Sequence, residues 1–215
     1  IGNRRRAARV QVSLGIVASE RGELQRAREL YESAEATLLE LGDRRGAATA
    51  AANLGTMLYL QWDLAGAEAR HQEALATFRA TGDKAGEGDA LLGLGENRVL
   101  QGEAVAAQRD LAAALALFES GGEKPRAAAA RLVQARLDRE SGEPQRAFAA
   151  LIALAGEFGA RGEVDEKVQA DLEAARCLLA QRGKAEAAAQ LVAEALGVAE
   201  RNPAAWLRHL GRLVS

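Results

Sequence analysis

A step of forty residues carries almost every informative position of this 215-residue chain onto a residue of the same kind. Gly15, Gly55 and Gly95 form one such column, continued by Ala135 and Ala175, and Ala27, Ala67, Ala107, Ala147 and Ala187 form a second. Leu38, Phe78, Phe118 and Phe158 make a third, and Gly42, Gly82, Gly122 and Gly162 a fourth. Self-similarity at one fixed period marks a stacked-repeat architecture, in which a single unit cannot bury its own apolar face and needs neighbours. Ordering one repeat opposes folding by about 60 kcal/mol, at roughly 1.5 kcal/mol per residue, which no repeat offsets alone. Length therefore does not count domains, and five periods plus a remnant predict one elongated domain over residues 1–215.

Inside each period the apolar spacing predicts two amphipathic helices of about 18 residues, each roughly 27 Å long. Gly22, Gly102 and Gly142 end the first helix of their repeats, and the glycine column beginning at Gly42 ends the second, each by supplying a left-handed residue. Asp43, Asp63 and Asp83 follow as N-caps, where a carboxylate accepts the unpaired amides of a first turn. Pro125, Pro144 and Pro203 are expected at first helical positions, where a missing N–H is harmless. Helices are thus expected over about 4–21, 24–41, 44–61, 64–81, 84–101, 104–120, 124–141, 144–161, 164–182, 185–200 and 203–214.

Gly15, Gly55 and Gly95 are expected to meet Ala27, Ala67 and Ala107 so that two backbones approach closely. Trp62 holds a turn position that is glycine elsewhere, and a left-handed conformation there costs about 1–2 kcal/mol. That turn is expected to take another geometry, with Trp62 covering a seam; an exposed partner contact is the alternative. Arg182-Gly183 reads as a one-residue insertion, after which Ala188, Val192 and Ala195 replace Ala187, Leu191 and Glu194 as the inward set. Asn97 stands in a column otherwise made of Val17, Met57, Leu137 and Cys177, so its amide either meets a buried partner and fixes register or is partly exposed and marks a site. The same column makes Cys177 a packing residue, and His71, in the aromatic slot of a second helix, is expected to fill core.

A formal charge of -2 supplies no general drive toward nucleic acid or an anionic membrane. Neither is expected as a partner, and no long apolar run offers a membrane span. Arg4, Arg5, Arg6 and Arg9 read as a solvated helix end. A single cysteine excludes an internal disulfide framework and fits a reducing, cytoplasmic setting. Ile1-Gly2-Asn3 aligns with Leu41-Gly42-Asp43, which leads to the expectation of a further repeat upstream, and the Ala, Arg and Gly bias to that of a GC-rich bacterial genome. Gly93-Leu94-Gly95 falls inside a helix without a preceding strand and is no nucleotide fingerprint. His71 and His209 lack metal-ligand spacing, and no nucleophile and base share a recognisable arrangement. No catalysis, metal or cofactor is expected.

Leu14-Gly15 followed by Ala27, Tyr31 and Ala34, and Leu54-Gly55 followed by Ala67, His71 and Ala74, resemble the tetratricopeptide repeat signature. The forty-residue spacing, with Gly-Asp between repeats, is similar to the variant in spindle-orientation scaffolds, kinesin light chains and bacterial signalling proteins. Gln134-Ala135 and Ala174-Ala175 depart from Leu-Gly, so the pattern weakens toward the C-terminus. The resemblance implies an all-α, right-handed α-solenoid of tandem helix-turn-helix repeats over about 3–42, 43–82, 83–122, 123–162 and 163–202, with a terminal helix at 203–214. It also implies that first helices line a concave face, where ligand-contacting columns hold Arg9, Thr49 and Asp89; Ser13 and Asn53; and Thr56, Glu96, Arg136 and Arg176, with Tyr59 and Arg139 beside them. Asn53 is the sharpest candidate, because one amide can donate to and accept from a ligand backbone. Val12, Ile16, Asp89 and Gly93 replace the other members of the family clamp for acidic C-terminal peptides, so a chaperone-tail receptor is not expected. Arg136 and Arg176 would stack to hold a carboxylate or phosphate, or else pair with Glu140 and Glu173. The expected function is a non-catalytic scaffold that binds a peptide or protein segment, as a module of a larger signalling or regulatory protein. A ligand-sensing regulatory domain and a self-association module are the alternatives, with homo-oligomerisation not indicated.

Overall fold

The computed structural model describes residues 2–201, and every regular element among them is an α-helix. The helices are α1 Gly2–Glu20, α2 Leu24–Glu40, α3 Arg44–Leu60, α4 Leu64–Thr81, α5 Lys84–Gln101, α6 Ala104–Ser120, α7 Lys124–Glu140, α8 Pro144–Arg161, α9 Val164–Leu179 and α10 Ala185–Glu200. The largest departure from the expected bounds is at α9, which stops at Leu179 because residues 180–183 turn the chain. Pro144 opens α8 as expected, whereas Pro125 is the second residue of α7. The expected helix over 203–214, with Pro203 and His209, lies outside the described residues.

One turn geometry recurs along the chain. Glu23, Asp43, Asp63, Asp83, Glu103, Glu123, Glu143 and Glu163 each donate their backbone N–H to the carbonyl five residues earlier, at 2.8–3.0 Å. That bond closes a helix when the preceding residue is left-handed, and Gly22, Gly42, Gly82, Gly102, Gly122, Gly142 and Gly162 have φ between 69 and 86°. Trp62 corrects the expectation. It adopts φ 64° in the same turn, with Asp63 N–H bonded to the Leu58 carbonyl at 3.0 Å, and its side chain is 69% exposed. The helices on either side determine the turn, so tryptophan takes the glycine conformation and covers no seam.

The residue after the left-handed one then decides the cap. Asp43, Asp63 and Asp83 accept the backbone N–H of Gly46, Gly66 and Gly86, at 3.1, 2.9 and 3.1 Å. Glu23, Glu103, Glu143 and Glu163, one methylene longer, make no such bond.

By their contacts the described residues form two compact units, one ending at Ala127 and one beginning at Ala128. In the first, α1 pairs with α2, α3 with α4 and α5 with α6. Successive pairs join through α2 against α3 and α4 against α5, and the first helices also touch, α1 with α3 and α3 with α5. Arginines fasten each repeat to the next. Arg9 and Arg5 reach Asp43 at 2.7 and 3.8 Å, Arg45 reaches Asp83 at 2.5 Å, and Arg4 pairs with Glu40 at 3.0 Å. The basic run at the start of α1 is therefore engaged with the following turn.

The nearest neighbours of the glycine column are the bulky side chains of the second helix. A Cβ on Gly15 would stand 2.5 Å from Tyr31, on Gly55 3.0 Å from His71 and on Gly95 2.6 Å from Leu111, so these glycines make room for the bulky slot of the second helix. Ala27, Ala67 and Ala107 are fully buried all the same. In the second unit, Ala128, Leu132 and Ala135 of α7 cluster with Leu151, Leu154 and Phe158 of α8 and with Ala170, Ala174 and Cys177 of α9. On α10, Ala188 and Ala195 are buried and Ala187 is exposed, as a one-residue insertion at Gly183 requires, but Leu191 packs against the core alongside Val192 and is not replaced by it.

Candidate functional site

Side by side in the first unit, α3 and α5 leave between them a cavity of about 410 Å³. Five expected site residues meet there: Thr49, Asn53 and Thr56 from α3, Asp89 and Glu96 from α5. Arg45 and Asp83 close one end, Arg126 from the first turn of α7 stands beside Asp89, and His71 of α4 lies behind. A Cβ on Gly93 would lie 2.5 Å from His71 Cε1, 2.6 Å from Nε2 and 2.8 Å from Nδ1, so the imidazole packs directly against the α5 backbone at this glycine.

Each lining group has a defined state. Thr49 and Thr56 donate their hydroxyls to the carbonyls of Arg45 and Ala52 on their own helix, at 3.1 and 3.3 Å, turning them away from a ligand. Among the described residues the Asn53 amide has no hydrogen-bond partner. Asp89 forms an ion pair with Arg126 Nε at 3.1 Å, and Arg126 also reaches Glu123 at 3.3 Å. Loss of hydration raises the Asp89 carboxyl to about 6; Arg126 opposes the rise, and the charges of Asp83 and Glu123 add to it. His71 is 2% exposed, burial pushes it down to about 4, and Nδ1 has no partner, so the ring is neutral at physiological pH.

The remaining expected residues fall elsewhere. Arg9 is held by Asp43, Ser13 is exposed with its hydroxyl 3.5 Å from the Arg9 carbonyl, and Tyr59 is half-buried against the core of the first unit. Arg136, Arg139 and Arg176 belong to the second unit. There Arg176 pairs with Glu173 at 2.7 Å, the alternative same-helix pairing, and Arg139 pairs with Glu140 at 2.8 Å. Asn97 is fully buried and donates through Nδ2 to the Leu64 carbonyl at 2.8 Å, which ties α5 to the start of α4 and fixes register. Cys177 is fully buried, and burial raises its thiol. Arg45, Arg126 and His71 are not among the expected site residues; the signal for His71 is the glycine facing it at both 55 and 93.

Among the described residues, no group of three or more His, Cys, Asp or Glu side chains could hold a metal ion, and no helix is long and apolar enough to cross a membrane. No protein-family model and no curated protein matches the sequence. Solved structures do. A Rap protein complexed with competence and sporulation factor superposes with TM-score 0.79 and 16% identity over 88% of this chain. Two structures of a Podosopora anserina kinesin light chain protein of nearly identical TPR-like repeats, one of them a single-substitution variant, superpose with TM-scores of 0.65 and 0.67. Their identities are 19 and 17%, and they cover 93 and 94% of this chain and 98 and 99% of their own.

The fold is the tetratricopeptide-type repeat solenoid. This chain spans 53% of the Rap protein's length and nearly all of the Podosopora anserina protein's. Within this fold the glycine of the Leu-Gly pair faces the bulky slot of the second helix, as Gly15 faces Tyr31, Gly55 faces His71 and Gly95 faces Leu111.

Proposed function

We propose that this chain is a non-catalytic interaction scaffold, a module of a regulatory or signalling protein, which holds an extended peptide or protein segment across the cavity between α3 and α5. The observation that carries this reading is the Asn53 amide. It stands in the cavity without an internal partner while the neighbouring threonine hydroxyls are turned onto their own helix. An amide in that state can donate to one backbone group of a bound strand and accept from another. The complex of the structurally similar Rap protein with competence and sporulation factor supports the same use of the fold.

Panning a displayed library of random twelve-residue peptides against the purified chain tests the reading. The expected result is an enriched set whose affinity falls about tenfold with Asn53→Ala, equivalent to about 1.4 kcal/mol. An enriched set that binds the Asn53→Ala variant equally well, or no enrichment, would remove it.

A further inference from the structure

The outer face of α1 carries a pattern that is covered wherever it recurs in the first unit. Val10, Leu14 and Val17 are spaced i, i+4, i+7 and share one stripe of the helix, yet they are 52, 50 and 44% exposed. Forty residues on, Ala50, Leu54 and Met57 are buried in one core cluster with Ala34 and Leu38 of α2, and Ala90, Leu94 and Asn97 of α5 are buried too. The second helix of the preceding repeat covers these columns, α2 against α3 and α4 against α5. Asn97, late in α5, bonds the Leu64 carbonyl at the start of α4, while a Cβ on Gly86, early in α5, would meet Phe78 near the end of α4. A first helix therefore runs antiparallel to the second helix before it. On α1 the same stripe is a repeat-stacking face that no described residue covers. Arg6 and Arg21 extend it at both ends. Both are exposed and, unlike Arg4, Arg5 and Arg9, have no ion-pair partner among the described residues.

A complementary stripe lies on α10. With the one-residue shift at Gly183, Ala185 corresponds to Leu64, Leu196 to Leu75 and Glu200 to Arg79. In α4, Leu75 is buried and Arg79 reaches Glu87 at the start of α5 at 2.9 Å, whereas Leu196 and Glu200 are exposed. Glu186, Ala189, Ala193, Leu196 and Glu200 fall on one side of α10 and all are exposed. Its two terminal carboxylates have no ion-pair partner among the described residues. The two stripes also match in length: Glu186 to Glu200 and Arg6 to Arg21 span about 21 and 22 Å at the helical rise of about 1.5 Å per residue. One is apolar with a cation at each end, and the other is apolar with an anion at each end.

We propose that α10 of one copy of this chain stacks on α1 of a second copy, continuing the repeat-to-repeat packing from one molecule to the next. In the antiparallel arrangement that α4 and α5 display, Glu200 faces Arg6 and Glu186 faces Arg21, while Ala189, Ala193 and Leu196 cover Val10, Leu14 and Val17. The apolar centre supplies the driving force and the charged ends select the partner and its direction. A second α1 fits worse, because arginine would then meet arginine at both ends. The contact uses a different surface on each copy, so it builds rings where the rotation closes and open chains where it does not. It rests on no part of the groove reading above.

Sedimentation velocity on the whole chain, residues 202–215 included, tests the contact. Between about 1 μM and about 1 mM at low salt the average mass is expected to rise with concentration, and added salt should lower it. Leu14→Asp, at an exposed position, should abolish the rise. Two charge-reversed variants give the sharper comparison, Arg6→Glu with Arg21→Glu on α1 and Glu186→Lys with Glu200→Lys on α10. Each alone should associate about tenfold more weakly than the unaltered chain. Their equimolar mixture should recover, because each supplies the charge that the other has lost. An unaltered chain that stays monomeric over the whole range would overturn the proposal, and that result needs no variant to fold. Association that the α10 reversal leaves unchanged would overturn it as well, giving the α1 face to a second α1 if the α1 variants lose it and to neither stripe if they do not.

Discussion

Two residues of the first unit sit in conformations or protonation states that their side chains resist, and each gives a measurable prediction. Trp62 holds a left-handed turn that glycine occupies elsewhere, and its indole is mostly in water, so packing returns little for the strain. Trp62→Gly should raise stability by about 1 kcal/mol, the relief of about 1–2 kcal/mol being reduced by the greater freedom of an unfolded glycine. Urea unfolding would show a higher midpoint with unchanged slope. His71 is held neutral with its pKa near about 4, below its unfolded value near 6.5. The unfolded chain therefore takes up the proton first, so this contribution to stability is complete above pH 6.5 and is lost as pH falls through 4. At full extent it amounts to about 3 kcal/mol. Leu111 and Leu151 occupy the same slot in later repeats, so His71→Leu should fold and should flatten the melting temperature between pH 6.5 and 4. Asp89 has the opposite sign, with a folded pKa of about 6 raised by burial, so the folded chain takes up this proton before the unfolded one. Arg126, Asp83 and Glu123 surround its carboxyl, with Arg45, Glu96 and His71 lining the same space. Stability should gain as pH drops from about 6 toward 4, and Asp89→Asn should remove that step in a pH series of melting temperatures.

Among the elements, α5 is the one whose sequence argues against its own structure. Gly86, Gly88, Gly93 and Gly95 lie inside one helix, each weakening it by about 1 kcal/mol relative to alanine. Tertiary packing requires them: a Cβ would fall 2.5 Å from Phe78 at Gly86, 2.6 Å from Phe118 at Gly88 and 2.5 Å from His71 at Gly93. Rings pinned in the core cannot yield as a chain end can. Gly88→Ala is therefore expected to destabilise by about 1–3 kcal/mol despite the better helix former. Gly156, on the exposed side of α8 with nothing within 4 Å of its Cβ position, gives the contrast. There the same substitution should stabilise by up to about 1 kcal/mol. Calorimetric melting of both variants reads the two signs directly.

Across the chain, repetition makes most of the architecture readable. Glycine at one fixed place in each period announces the turns, and the aspartates after Gly42 and Gly82 announce the caps, because both solve a local backbone problem that recurs. What breaks the period is harder to read. Trp62 reads as a different turn when its own preference is weighed without the two helices that over-determine it. Thr49, Asn53, Thr56, Asp89 and Glu96 come from columns and do share a cavity. The opposition of Gly93 to His71 joins two repeats, however, and Arg126 has Gly86 forty residues before it, so no column shows either. The arginine clasps also join successive repeats: Asp43 is both the cap of α3 and the partner of Arg9 and Arg5. Asp43→Ala should lower stability by about 1–2 kcal/mol, most of it the cap, since the arginines are largely solvated. A double-mutant cycle with Arg9→Ala would separate the two parts.

The glycines of α5 have a further consequence in time. A helix that stays wound only while its neighbours press on it is the segment whose amides should exchange with deuterated solvent through local opening, ahead of α3 and α6 on either side. Anything lodged against Gly93 would brace that segment, so occupancy would be felt as slower exchange along the whole of α5, well beyond the atoms that the occupant touches.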